Sequence, residues 1–172
     1  MLWVTRSNLR VNRAATGWLI RRFLDPEARF CFVAPVQVAG VQAARGGIGF
    51  DAPDARYPHR DAAGRCSFEA LVEEHRPDDD ALRTLARVVH SADFVDPYAP
   101  RRSPPPSRAL GTFDRVSLTG WNQAPSEPFE AAGLRAIAQG FSLVAHDDEE
   151  ILDRSAFLYD ALYATLQRRL GG

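Results

Sequence analysis

The chain has 172 residues, 45% of them hydrophobic and three of them tryptophan, which is enough for the core of a single domain. Its formal net charge of −1 gives no general reason to bind nucleic acid or a membrane surface, and no apolar run is long enough to span a bilayer. Cys31 and Cys66 form no CxxC pair and no zinc-ribbon spacing, and all 21 basic residues are arginine, a supply of planar donors for carboxylates and oxyanions.

The first residues carry no signal-peptide pattern, because Leu2-Trp3-Val4 is followed at once by Arg6 and Arg10; a cytoplasmic location is expected. Leu2 to Thr5 predicts a short strand. A helix is expected from Arg13 to Leu24, with Asn12 as its cap. Its apolar residues, Trp18, Leu19, Ile20, Phe23 and Leu24, spread round most of its circumference, so the helix is central. Arginines on such a helix need partners. Arg13, Arg21 and Arg22 either tie down loops and carboxylates, or Arg13 or Arg21 faces a site and binds an anion. Arg29 to Val33 is the strongest strand pattern, aromatic and β-branched. A short helix over Val36–Ala44 and a strand at Ile48–Phe50 follow. A loop containing His59 runs on to Gly64.

The next two helices carry the residues richest in chemistry. One starts near Ser67; Glu69, two residues on, falls outside capping-box spacing and suits the positive helix end. The other starts at Pro77-Asp78-Asp79-Asp80, with Asp78 as the expected cap. Leu82, Leu85, Ala86, Val89 and Ala92 define its buried face. Asp93 falls inside that face and His90 at its edge, three residues apart and therefore side by side. A carboxylate in an apolar stripe calls for a metal ion, an arginine or a histidine. His59, Glu69, His90 and Asp93 together have the composition of a mononuclear metal site, with iron, manganese or zinc as the ion. A structural His–Asp pair and a helix-dipole glutamate are the bland alternative. His75 and His146 read as surface residues.

Residues 96–125 are rich in proline and carry Leu110, Phe113, Leu118 and Trp121; they read as a partly ordered lid or insertion. Trp121 joins Arg13 and Arg21 as a candidate substrate contact. Pro128 opens a further helix, with Leu134, Ile137, Ala138 and Phe141 on one stripe. The last helix begins in the acids after His146, carries Tyr159 and Tyr163 as core residues, and ends near Arg168-Arg169. The expected fold is mixed α/β (α+β) and mostly helical: about five helices packed with a few short N-terminal strands, in one domain.

Several phrases together resemble the C-terminal domain family of the bacterial chromate-resistance protein ChrB. They are Trp3-Val4-Thr5-Arg6, Arg13 with Trp18 through Pro26, Arg29 through Val33, Phe50-Asp51 followed by His59, Cys66-Ser67-Phe68-Glu69, Ala92-Asp93, Glu130 through Leu134 and Leu158 through Tyr163. The resemblance implies a link to chromate resistance and to sensing or processing of metals or oxyanions. It also implies an aspartate before Arg13, where this chain has Asn12, and a domain that follows another domain in longer members. Three function classes follow: a small metal-dependent enzyme acting on a small-molecule or oxyanion substrate, a non-catalytic metal or chromate sensor, and a plain interaction module. The first is preferred, as an oxidoreductase or hydrolase with an arginine-assisted anionic substrate. No basic patch or DNA-reading motif supplies a sensor's output surface.

Overall fold

The computed structural model describes residues 1–94 and 128–171. The expected lid at 96–125, and Trp121 with it, lies outside the described residues. Three parallel strands, β1 (Leu2–Arg6), β2 (Arg29–Val33) and β3 (Ile48–Gly49), form a sheet in the order β2-β1-β3. Leu2 pairs with Arg29 and Val4 with Cys31 on one side of β1, and Trp3 pairs with Ile48 on the other. Parallel neighbours need crossovers, and helices supply them. The chain passes from β1 to β2 through α1 (Val11–Leu19), which runs on as a π-helical turn over Ile20–Leu24, and from β2 to β3 through α2 (Val38–Arg45).

Period-two alternation gives the sheet two different faces. Leu2, Val4, Cys31 and Val33 pack with Val38, Val41, Ala52 and Ala55 in a minor core under α2. Trp3, Phe30 and Phe32 belong to the main core, together with α1 and the remaining helices. Those helices are α3 (Ser67–His75), α4 (Asp80–Asp93), α5 (Phe129–Val144) and α6 (Asp148–Leu170). The class is as expected, α+β and mostly helical. The described residues hold six α-helices rather than about five.

All nine residues of α1 are buried, and the helix packs against α3, α4 and α6. Trp18 is in ring contact with Phe23, Phe68, Tyr159 and Tyr163, and its Nε1 donates to Asp160 at 3.0 Å. Each large side chain buried this way contributes about 1.5–3 kcal/mol. The close approach to α6 favours glycine at position 17, where a Cβ would lie 2.6 Å from Leu152 Cδ1 and would make that side chain shift.

Three local expectations need correction. The first helix begins at Val11 behind Arg10, so Asn12 is not its cap but a buried residue inside it. The helical pattern could not reveal this, because a polar residue near a helix start looks the same whether it caps or is buried. Asp79, not Asp78, caps α4, accepting from Leu82 N at 2.9 Å. Glu69 does take the reciprocal position of a capping box, because the residue before α3 is Cys66 rather than Ser67; its Oε2 accepts the Cys66 backbone N–H at 2.8 Å.

Candidate metal centre

The α3–α4 hairpin brings the first turn of α3 beside the last turn of α4. Cys66, Ser67 and Glu69 come from one side, and His90, Asp93 and Phe94 from the other. Two further segments close on this edge: the first turn of α1, with Asn12 and Arg13, and the loop after β3, with Asp51, His59 and Arg60.

Asp51 organises the buried side. Its backbone is left-handed (φ 51°), a conformation that Asp tolerates better than most residues, and its side chain is 1% exposed. Oδ1 accepts from Asn12 Nδ2 and from His59 Nδ1, both at 2.7 Å. Oδ2 accepts from Arg6 Nη2 and Arg13 Nη1, both at 2.8 Å. Burial pushes this carboxyl up, but the His59 hydrogen bond and the charges of Arg13 and Arg6 outweigh it and hold it below the usual range. Asn12 extends the network, bonding Ser67 Oγ at 3.0 Å and the Phe68 N–H at 3.3 Å.

Glu69 Oε2 lies 2.6 Å from His90 Nδ1. An ionised carboxylate can only accept, so the Nδ1 of each imidazole carries the proton and Nε2 keeps its lone pair. Among the described residues neither Nε2 has a hydrogen-bond partner. Both rings lie against Phe94, with centroids 4.9 Å away for His59 and 4.7 Å for His90. The Arg60 guanidinium stands over the same phenyl ring at 4.2 Å.

Asp93 Oδ2 is buried with no hydrogen-bond partner among the described residues, and His59 Nδ1 is 3.7 Å away. Burial, followed by the charge of Asp51, pushes the Asp93 carboxyl up. An orphaned buried acceptor costs about 1–3 kcal/mol. A cation or a proton offsets that cost. Burial also pushes the Cys66 thiol well up; the charges of Glu69 and Asp93 add to this, and the Glu69 backbone N–H opposes it. In the metal-free chain Cys66 is therefore a neutral thiol and not an activated nucleophile.

Of the residues singled out from sequence, His59, Glu69, His90 and Asp93 all reach this edge. They sit in two adjoining groups rather than in one: Cys66 with Glu69 and His90, and Asp51 with His59 and Asp93, the ligand-type atoms of each group lying within 4.8 Å of one another. Arg13 reaches the cluster, but its guanidinium is taken by Asp51 and by the Asn8 carbonyl at 2.5 Å. Arg21 bonds Glu149 and Asp153 on α6, and none of its hydrogen bonds or ion pairs reaches the cluster. His146 and His75 are both exposed, His75 beside the Tyr57 hydroxyl. A groove of about 640 Å³ lies elsewhere, between the α3–α4 turn at Arg76–Asp79 and the end of α6.

Four residues of the edge carried no site role in the sequence reading. Asp51 left one signal, its place in the Phe50-Asp51 phrase before His59. Cys66 had no visible base beside it, because His90 lies 24 positions away along the chain. Phe94 and Arg60 gave no signal, since a lone aromatic and a loop arginine are common anywhere.

A family model described as ChrB, C-terminal domain, matches residues 3–111. The chain is 29% identical over 163 residues to Protein ChrB of Cupriavidus metallidurans, which covers 94% of this chain. It spans 39% of that relative's length. No solved structure matches it.

Proposed function

The chain belongs to the ChrB C-terminal domain family, and on that premise we propose that it is a small metal-dependent enzyme acting on an oxyanion of the chromate class. The α3–α4 edge would hold one divalent ion, iron, manganese or zinc. The observation that carries the reading is the treatment of the two imidazoles. Each has Nδ1 held by a carboxylate, Asp51 or Glu69, which leaves Nε2 as the donor atom. Metal-binding histidines are oriented by this kind of partner. The Asp93 Oδ2, buried with no hydrogen-bond partner among the described residues, fits the same reading, since a buried acceptor lacking a donor favours a nearby cation or a proton.

His59, His90 and Asp93 would hold the ion, while Asp51 would fix the His59 ring and Glu69 the His90 ring. Such an ion, when bound, would supply Lewis acidity at an anion's oxygen or, for iron or manganese, an electron-transfer couple toward its central atom. Arg60 is the cation best placed to orient an incoming anion, because Arg13 and Arg21 are already paired. One further observation favours a second reading, a non-catalytic metal or chromate sensor: the relative extends well beyond the matched region, so in that protein the domain works beside other parts of the chain.

Purified protein loaded with each ion in turn tests both. The enzyme reading expects one ion per chain, loss of that ion in His59→Ala and His90→Ala, and metal-dependent disappearance of the chromate absorbance with a reductant present. Metal binding without turnover, with chromate changing the metal affinity, favours the sensor. No stoichiometric metal, with His90→Ala indistinguishable from the parent, removes both.

A further inference from the structure

We propose that the Cys66 sulfur is a ligand of the same ion, which makes the site selective for a thiolate-accepting metal, zinc or ferrous iron, over manganese. The inference rests on the metal reading above and narrows it.

The two groups at the edge are not equivalent. In the group of Asp51, His59 and Asp93, both Asp51 oxygens already accept two strong donors each, so that carboxylate is committed to holding Arg6, Arg13, Asn12 and His59. In the group of Cys66, Glu69 and His90, the sulfur sits at the N-cap of α3, where it accepts the Glu69 backbone N–H and meets the Glu69 carboxylate, while Glu69 Oε2 takes the Cys66 N–H and His90 Nδ1. Sγ, a Glu69 oxygen and a His90 nitrogen lie within 4.8 Å of one another. Ligand atoms round a tetrahedral ion stand roughly 3.3–3.8 Å apart. The sulfur therefore stands close enough to His90 for side-chain rotations to bring both onto one ion.

Cys66 is wholly buried and belongs to the main apolar core, and a carboxylate and an imidazole also stand beside its sulfur. Its position just before the first residue of α3, a nine-residue helix, places the sulfur at the positive helix end, which favours an anionic sulfur. The edge carries three carboxylates, the buried Asp51 and the partly buried Glu69 and Asp93, against two guanidiniums that pair with Asp51, Arg6 and Arg13. An added divalent cation compensates both that excess and the charge of a thiolate. Soft sulfur selects zinc and iron, whereas carboxylate and water suit manganese.

Cobalt(II) substitution reads this out. In a Cys31→Ser protein the only remaining thiol is Cys66, and position 66 is untouched, so folding is not at risk there. Stoichiometric cobalt should give visible d–d bands together with a near-ultraviolet thiolate-to-cobalt charge-transfer band. Adding Cys66→Ser should abolish the charge-transfer band, keep the d–d bands, weaken zinc binding roughly tenfold to a hundredfold, and shrink the preference for zinc over manganese. Cobalt d–d bands without charge transfer in the single-thiol protein overturn the thiolate ligand and leave the metal reading standing. Absence of any stoichiometric cobalt or zinc overturns both.

Discussion

Asp51 is the residue on which the edge depends most. Its carboxylate neutralises two guanidiniums, one of them nearly buried, and removing one partner of a buried ion pair costs about 3–5 kcal/mol. Asp51→Asn keeps a residue that tolerates the left-handed backbone and removes only the charge. Urea unfolding should show a loss in that range, and Asp51→Ala should cost about 1 kcal/mol more, because alanine is strained at φ 51°. The pH dependence has a definite sign. The folded Asp51 carboxyl titrates below its unfolded value, so its contribution is complete above the unfolded carboxylate range and is lost as pH falls through the folded value. The parent should lose stability on acidification, and Asp51→Asn should lose less. Asp93 has the opposite sense. Its carboxyl is raised in the fold, so it weighs against stability as pH rises past the unfolded value. Asp93→Asn should therefore raise the melting temperature of the metal-free protein at neutral pH while abolishing metal binding, and calorimetry with and without metal checks both halves.

At the scale of elements, α4 must be held in register against both α3 and α6 for His90 and Asp93 to reach the edge. Asp79 contributes at both joints. Oδ1 caps α4, and Oδ2 accepts the Tyr163 hydroxyl at 2.7 Å from α6. Asp79→Ala should cost about 1–2 kcal/mol, most of it from the cap, and a double-mutant cycle with Tyr163→Phe isolates the remainder. The α1–α6 contact offers a second check. Gly17→Ala pushes a methyl into Leu152 and should destabilise by about 1–3 kcal/mol. Leu152→Ala should absorb part of that cost, so the two changes together should be less than additive.

For the whole molecule, a metal at the α3–α4 edge binds only where α1, α3, α4 and the loop after β3 have assembled. An ion that binds the native state alone stabilises it by about 2.7 kcal/mol at a hundredfold excess over Kd. Metal should raise the unfolding temperature of the parent, a chelator should reverse the rise, and His59→Ala or His90→Ala should suppress it. No helix among the described residues is long and apolar enough to cross a membrane.

The amino-acid sequence by itself determined the α+β class, most helix and strand positions, the family, and the four histidine and carboxylate residues of the edge. These follow from local quantities: apolar spacing on one helix, β-branched runs, acids at helix starts, and phrases of a few residues. Only the tertiary structure decided how those residues are partnered. His59 and His90 are 31 positions apart and share one phenyl ring only because α3 and α4 fold back on each other and the loop after β3 closes over them. Asn12 reads as a cap until Asp51 and Ser67 are found on either side of it. Arg21 reads as a tie to carboxylates or as a site arginine until α6 presents Glu149 and Asp153. Spacing along a helix fixes which residues share a face. Which charge meets that face is set by chain segments far away in sequence, through the requirement that buried donors and acceptors find partners.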